Sequence, residues 1–231
     1  MKLNYSHLPH SSCRVAWSAL VFFFGTQLLL SEEKLPNDVR WVRESMEYAN
    51  LCEQVFQEAV KKIRRLTGAE LGPPAVVVDL DETILDNSTY QVERWKLGKG
   101  FTQESWSEWV NRMEADLVPG AEQFLKEMRK LEVQVVFLSN RMHANLDPTR
   151  KNLKALGVLD PKDLFLLRLN EADTKAVRRK EVIEGTGRMK KPGPFSVVGY
   201  LGDQVGDFPT REKDRFGEFY FLLPNPMYGK W

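Results

Sequence analysis

Asp79 and Asp81 stand two residues apart at the end of an apolar run, in Val77-Val78-Asp79-Leu80-Asp81-Glu82-Thr83. If that run is a strand, both carboxylates reach the edge of the sheet where open α/β folds bind ligands. Three further apolar runs end in, or lead to, chemistry: Ser139-Asn140-Arg141 after the second, Lys175 beyond the third, and Gly202-Asp203-Gln204-Val205-Gly206-Asp207 after the fourth. A lone Asp-x-Asp is a weak signal, shared with calcium loops and helix caps. A carboxylate pair, a hydroxyl, a lysine and a second carboxylate pair delivered to one edge by separate strands make a specific one. Those groups suit phosphoryl transfer through an aspartyl phosphate. Asp79 attacks phosphorus; Asp81 protonates the leaving oxygen and then deprotonates water. Ser139 and Asn140, with backbone N–H groups at helix N-termini, hold phosphoryl oxygens, and Lys175 offsets their charge. Asp79, Asp81 through its carbonyl, and Asp203 form an oxygen-only site for Mg²⁺. Asp207 belongs to the same set, orienting a metal-bound water or Lys175 rather than meeting the ion.

Composition excludes competing chemistries. Of three histidines, His7 and His10 fall in the N-terminal stretch, which leaves His143 alone in the body of the chain. That is too few for a His-rich binuclear metal centre. Two cysteines, Cys13 and Cys52, make neither a disulfide framework nor a zinc site. Net charge is +1, so no basic footprint points to a nucleic-acid polymer.

The elements that must position the site follow from hydropathy. Short, nearly continuous apolar runs at 75–80, 133–138, 164–169, 195–201 and 219–223 read as parallel strands buried on both faces. Helical spacing over 120–131, 145–156 and 171–183 lies between them, which implies an α/β sheet with right-handed crossovers. Residues 90–118, with Trp95, Trp106 and Trp109, are too long for a simple loop and predict a small helical cap. Upstream, Val42, Met46, Ala49, Cys52, Phe56, Ala59 and Ile63 recur at helical spacing and predict one helix over 36–66. The basic cluster Arg178, Arg179 and Lys180 reads as a solvated helix face. Lys2 and Arg14 precede an uncharged stretch at 15–30, a pattern that predicts an export signal or an uncleaved membrane anchor.

The sequence from Val77 to Tyr90, with Asp79-Leu80-Asp81-Glu82-Thr83-Ile84-Leu85-Asp86-Asn87-Ser88, resembles the haloacid dehalogenase superfamily, and within it the bacterial class C acid phosphatases. Trp41-Val42, Ser45, Glu47-Tyr48, Val118-Pro119-Gly120-Ala121 and Leu223-Pro224-Asn225-Pro226…Tyr228-Gly229…Trp231 extend the likeness over roughly residues 35–231. The resemblance implies a Rossmann-like parallel sheet with helices on both faces, a small helical cap, Mg²⁺, and an exported or envelope-bound phosphomonoesterase, with 5′-nucleotides among the substrates. It places Tyr228 beside the cleft. Glu93 stands where members carry a cap aromatic, which leaves Trp95, two residues on, as the nearest candidate for the substrate clamp. The implied division is a signal over 1–31, a helical segment and connector over 32–74 joined to the cap, and a phosphatase core over 75–231 with the cap at about 90–118. A phosphotransferase on the same scaffold shares the intermediate, and a non-catalytic surface protein is the other alternative. The partner expected is a small phosphomonoester, with no nucleic-acid polymer; a homodimer is left open.

Overall fold

The computed structural model describes residues 34–67 and 72–229. The expected signal or anchor lies outside them, and among the described residues no helix is long and apolar enough to cross a membrane. The elements run α1 (Asn37–Glu44), α2 (Met46–Leu66), β1 (Pro74–Val78), β2 (Leu85–Asp86), α3 (Ser88–Lys96), α4 (Gln103–Arg112), β3 (Asp116–Leu117), α5 (Ala121–Lys130), β4 (Gln134–Met142), α6 (Leu146–Ala155), β5 (Leu164–Arg168), α7 (Lys175–Glu184), β6 (Ser196–Gly202) and β7 (Tyr220–Leu222).

Five strands form one sheet in the order β5-β4-β1-β6-β7, every pairing parallel. All five apolar runs are strands of this sheet. Because successive side chains alternate between faces, Val76 and Val78 of β1 join a core with Phe56 and Ile63 of α2 and Phe124 and Leu125 of α5. Ala75 and Val77 join a second core on the other face with Val182 of α7. From β1 the chain crosses to β4 and β5 on one side, then returns to β6 on the other. The order therefore reverses beside β1, and the crevice at such a switch point is where this architecture binds ligands.

The helix predicted over 36–66 is two helices. Ser45 between them is extended (φ −88°, ψ 138°), and its Oγ accepts the Tyr48 N–H at 3.1 Å. A serine that satisfies a free N–H group at a helix start competes with helical continuation. The 32–74 segment also divides in its packing: α1 meets α3, whereas α2 lies on the sheet against α5, β6 and β7. Cys52 sits on the buried stripe of α2, fully enclosed, with burial pushing its thiol up to about 12.

The cap insertion consists of α3 and α4. Its entry and exit are joined by the antiparallel pair β2–β3, Leu85 opposite Leu117 and Asp86 opposite Asp116. Two residues per strand are too few for the sequence to announce.

Candidate active site

Asp79 follows the last residue of β1, and its N–H donates to Leu201 O of β6 at 2.9 Å. This bond ties the two strands where they bring Asp79 and Asp203 together. Carboxylate oxygens of Asp79, Asp203 and Asp207, all buried, lie within 4.8 Å of one another. Lys175, the first residue of α7, enters this cluster. Its Nζ is 2.8 Å from Asp79 Oδ1 and also pairs with Asp207 Oδ1. This ammonium contact is the one partner of the buried Asp79 Oδ1 among the described residues. Burial pushes the Asp79 carboxyl well above the ordinary range; Lys175 opposes this, while Asp207, Asp203 and Asp81 add to it. Asp203 is pushed up to about 6, by burial first and by Asp207 second, although Asn225 Nδ2 donates to its Oδ2 at 2.7 Å. Burial pulls Lys175 down, but Asp79 and Asp207 outweigh it and hold the ammonium above its usual value.

Asp207 is committed to the protein on both oxygens. Oδ2 accepts the Gln204 N–H at 2.9 Å and Oδ1 takes Lys175. Its side chain crosses so close to Gly202 that a Cβ there would overlap it, which is why the fourth strand must end in glycine. With all three carboxylates ionised against one ammonium, the cluster would be two charges negative, and this repulsion is part of what raises Asp79 and Asp203. The oxygen-only set of Asp79, Asp203 and Asp207 fits a hard divalent cation.

Asp81 is held by a separate set of partners. Its Oδ2 accepts Ser139 Oγ at 3.2 Å, and its Oδ1 accepts Arg141 Nε at 2.9 Å and Asn87 Nδ2 at 3.1 Å. Ser139 is wholly buried and also accepts the Arg141 N–H at 3.1 Å. Asn140 is exposed to the cleft, its Oδ1 accepting Arg178 at 2.7 Å. A cleft of about 940 Å³ covers these groups, lined among others by Asp79, Asp81, Lys175, Asp203, Asp207, Trp106, Phe101 and Tyr228. Trp95 is half-buried on α3 and is not among the cleft's lining residues; Phe101 and Trp106 supply the cap's aromatic surface instead.

The reading of Arg178 and Arg179 as solvated is corrected. Arg178 is fully buried, donating to Ser139 O at 2.5 Å, Leu166 O at 3.0 Å and the Asn140 side chain. Arg179 donates to Gly206 O at 3.1 Å and Asp207 O at 3.2 Å. Only Lys180 of the three faces solvent. The strand ends expose carbonyls that require donors, and α7 supplies them. Asn87, Asn225 and Arg141 also touch site carboxylates.

A family model described as HAD superfamily, subfamily IIIB (Acid phosphatase) matches residues 26–231. The chain superposes on the tungstate-bound class C acid phosphatase from Bacillus anthracis with a TM-score of 0.75, at 32% identity, covering 83% of this chain and 84% of that one. Acid phosphatase 1 of Solanum lycopersicum is 27% identical over 181 residues, 78% of this chain and 69% of that protein. Stem 31 kDa glycoprotein of Glycine max is 30% identical over 158 residues, 66% of this chain, and the match spans only 58% of that protein.

Proposed function

The chain belongs to the HAD superfamily, subfamily IIIB, the acid phosphatases, and from that premise we propose that it is an exported, Mg²⁺-dependent acid phosphatase acting on phosphomonoesters through an aspartyl phosphate. The observation that carries this reading is Asp79: a buried carboxylate at the switch point of the sheet, paired with Lys175 and clustered with two further acids. Few structural roles would leave a carboxylate so placed.

In the first step an Asp79 oxygen forms a bond to phosphorus as the ester P–O bond breaks, and Asp81 gives its proton to the departing alkoxide. Water then attacks the phosphoenzyme, Asp81 takes its proton, and phosphate leaves as the Asp79 carboxylate is regenerated. Lys175 keeps Asp79 and the incoming phosphoryl group from repelling each other; Asn140 and the N–H groups that open α7 offer donors to phosphoryl oxygens. A divalent cation, when bound by Asp79, Asp203 and the Asp81 carbonyl, supplies charge neutralisation for the transferring group. Asp207 acts on Lys175 rather than on substrate, since both its oxygens are taken. Tyr228 and Phe101 line the cleft, and aromatic groups there suit stacking of a nucleobase, which favours 5′-nucleotides within the substrate class. The uncharged stretch at 15–30 behind Lys2 and Arg14 supports export to the cell envelope.

The test is hydrolysis of a phosphomonoester panel by purified protein. Asp79→Asn keeps shape and removes the nucleophile, and is expected to lower kcat at least about 10³-fold. Removing divalent cation from the wild type should have a comparable effect, reversed by Mg²⁺. Wild-type rates in Asp79→Asn would overturn the mechanism.

A further inference from the structure

Asp81 is anchored by a buried polar chain that leads out of the sheet into the cap. Arg141 meets Asp81 Oδ1 with two nitrogens, Nε at 2.9 Å and Nη2 at 2.8 Å, and is 1% exposed. Its other contacts are committed: Nη1 donates to Thr149 Oγ1 at 3.1 Å, and Nη2 donates to Asn87 Oδ1 at 3.3 Å. Asn87 bridges the chain. Its Nδ2 donates to Asp81 Oδ1, while its Oδ1 accepts Nε1–H of Trp109, on α4, at 2.8 Å. The backbone of Asn87 is fixed in turn, donating to the buried Glu82 carboxylate at 2.9 Å. Trp106, one turn before Trp109, stands 5.9 Å from the Arg141 guanidinium and lines the cleft.

The donors divide the two oxygens of Asp81. Oδ1 receives Arg141 and Asn87 and has no room to carry a proton. Oδ2 has only the Ser139 hydroxyl, 3.2 Å away, a group that can donate to it or accept from it. We propose that Arg141, Asn87 and Trp109 are positioning residues: they lock Oδ1 as acceptor, leave Oδ2 as the oxygen that carries the proton to the leaving group, and make that orientation depend on the seat of cap helix α4. The inference rests on the reading of Asp81 as leaving-group acid, and it adds Asn87 and Trp109, which lie off the cleft's lining, and Arg141, which lines the cleft but commits its guanidinium nitrogens to Asp81, Asn87 and Thr149. Breaking the chain at Trp109 leaves a buried amide oxygen short of a donor, so Asn87 and Arg141 re-pair and Asp81 loses its fixed direction.

The test compares two substrates on the full chain with Mg²⁺: p-nitrophenyl phosphate, whose leaving group departs without a proton, and an alkyl phosphate, whose leaving group needs one. Asp81→Asn sets the reference and should be selectively slow on the alkyl ester. Trp109→Phe keeps the ring and removes the donor. It should lower kcat on the alkyl ester roughly tenfold, the size of one buried hydrogen bond, with KM and the p-nitrophenyl rate changed less than about twofold. Arg141→Lys, which keeps the charge and loses the two-nitrogen grip, should show the same selectivity more strongly. Equal losses on both esters in these two variants, or no loss on either, while Asp81→Asn stays selective, would overturn the inference and leave the acid role standing. An unselective Asp81→Asn would remove both.

Discussion

Helix α2 closes one face of the sheet with Cys52, Phe56, Ala59 and Ile63, whereas α7 meets the other with Arg178 and Arg179 beside a single buried valine, Val182. Both helices are firmly seated, by different physics. Hydrocarbon burial is proportional to area and carries no direction, so it holds α2 on the sheet without specifying where any one atom must lie. Guanidinium groups aimed at particular carbonyls do specify it. The helix secured this way is the one whose first residue is Lys175, and the carbonyls it meets belong to Ser139, Leu166, Gly206 and Asp207, at or next to the site. Directional bonds are used where position matters for chemistry, and area where only attachment does.

The sharpest way to break this contrast is to remove one contact from each face. Phe56→Ala should cost about 3–5 kcal/mol of stability. Arg178→Met, which strips donors from two buried carbonyls and a neighbour from Asp173, should cost about 2–5 kcal/mol. Denaturant unfolding would show these comparable losses. Only Arg178→Met should also weaken competitive inhibition by inorganic phosphate, because it releases Asn140. A matching loss of phosphate affinity in Phe56→Ala would erase the distinction.

A smaller effect sharpens it through pH. Asp203 titrates near 6 in the folded protein against an ordinary value of 3.8. The native state therefore keeps a proton that the unfolded chain has released, and cation-free stability should fall as pH rises from about 4 through 6. One such group accounts for a change on the order of 3 kcal/mol. Asp79, also raised, acts in the same direction. Asp173 and Glu181, whose carboxyls are lowered beside Arg188, act in the opposite sense: their contribution is lost as pH falls below about 5, so they oppose the Asp203 slope at the acid end of this window. The difference between wild type and Asp203→Asn, melted in a chelator at each pH, isolates the Asp203 share. Wild-type stability that rose from pH 4 to 6 relative to that variant would contradict the assignment, and saturating Mg²⁺ should flatten the slope.

The smallest expected effect belongs to the α2 side. Ser45→Ala removes the cap between α1 and α2 and should cost about 1 kcal/mol, with kcat unchanged. A loss of activity from this variant would show that the area-held face is coupled to the site after all.

Legibility in the sequence follows the same division. The five core strands could be read because residues buried on both faces are apolar throughout, as in Ala75-Val76-Val77-Val78. Asp79, Asp81, Lys175, Asp203 and Asp207 could be located because each follows a strand or opens a helix. Arg178 and Arg179 could not, since a charged residue on a helix carries no mark of which carbonyls await it across the sheet. Asn87 has a local turn that explains it, which hid its longer reach to Asp81 and Trp109. Trp95 and Trp106 are alike in type, and only the turn of each helix decides which of them meets the cleft. Ser45 interrupts an apolar spacing that continues on both sides of it, so periodicity alone runs straight through.

Cys52 gives the chain a clock of its own. It is the only cysteine among the described residues, fully enclosed beneath α2, with its thiol pushed up to about 12. Reagents that modify thiols act on the thiolate, so in a Cys13→Ser chain the rate of labelling would time how often α2 lifts from the sheet. The same measurement, repeated with phosphate or Mg²⁺ present, would report from the far side of the sheet whether a ligand at the cleft slows the whole fold's opening or only its own rim.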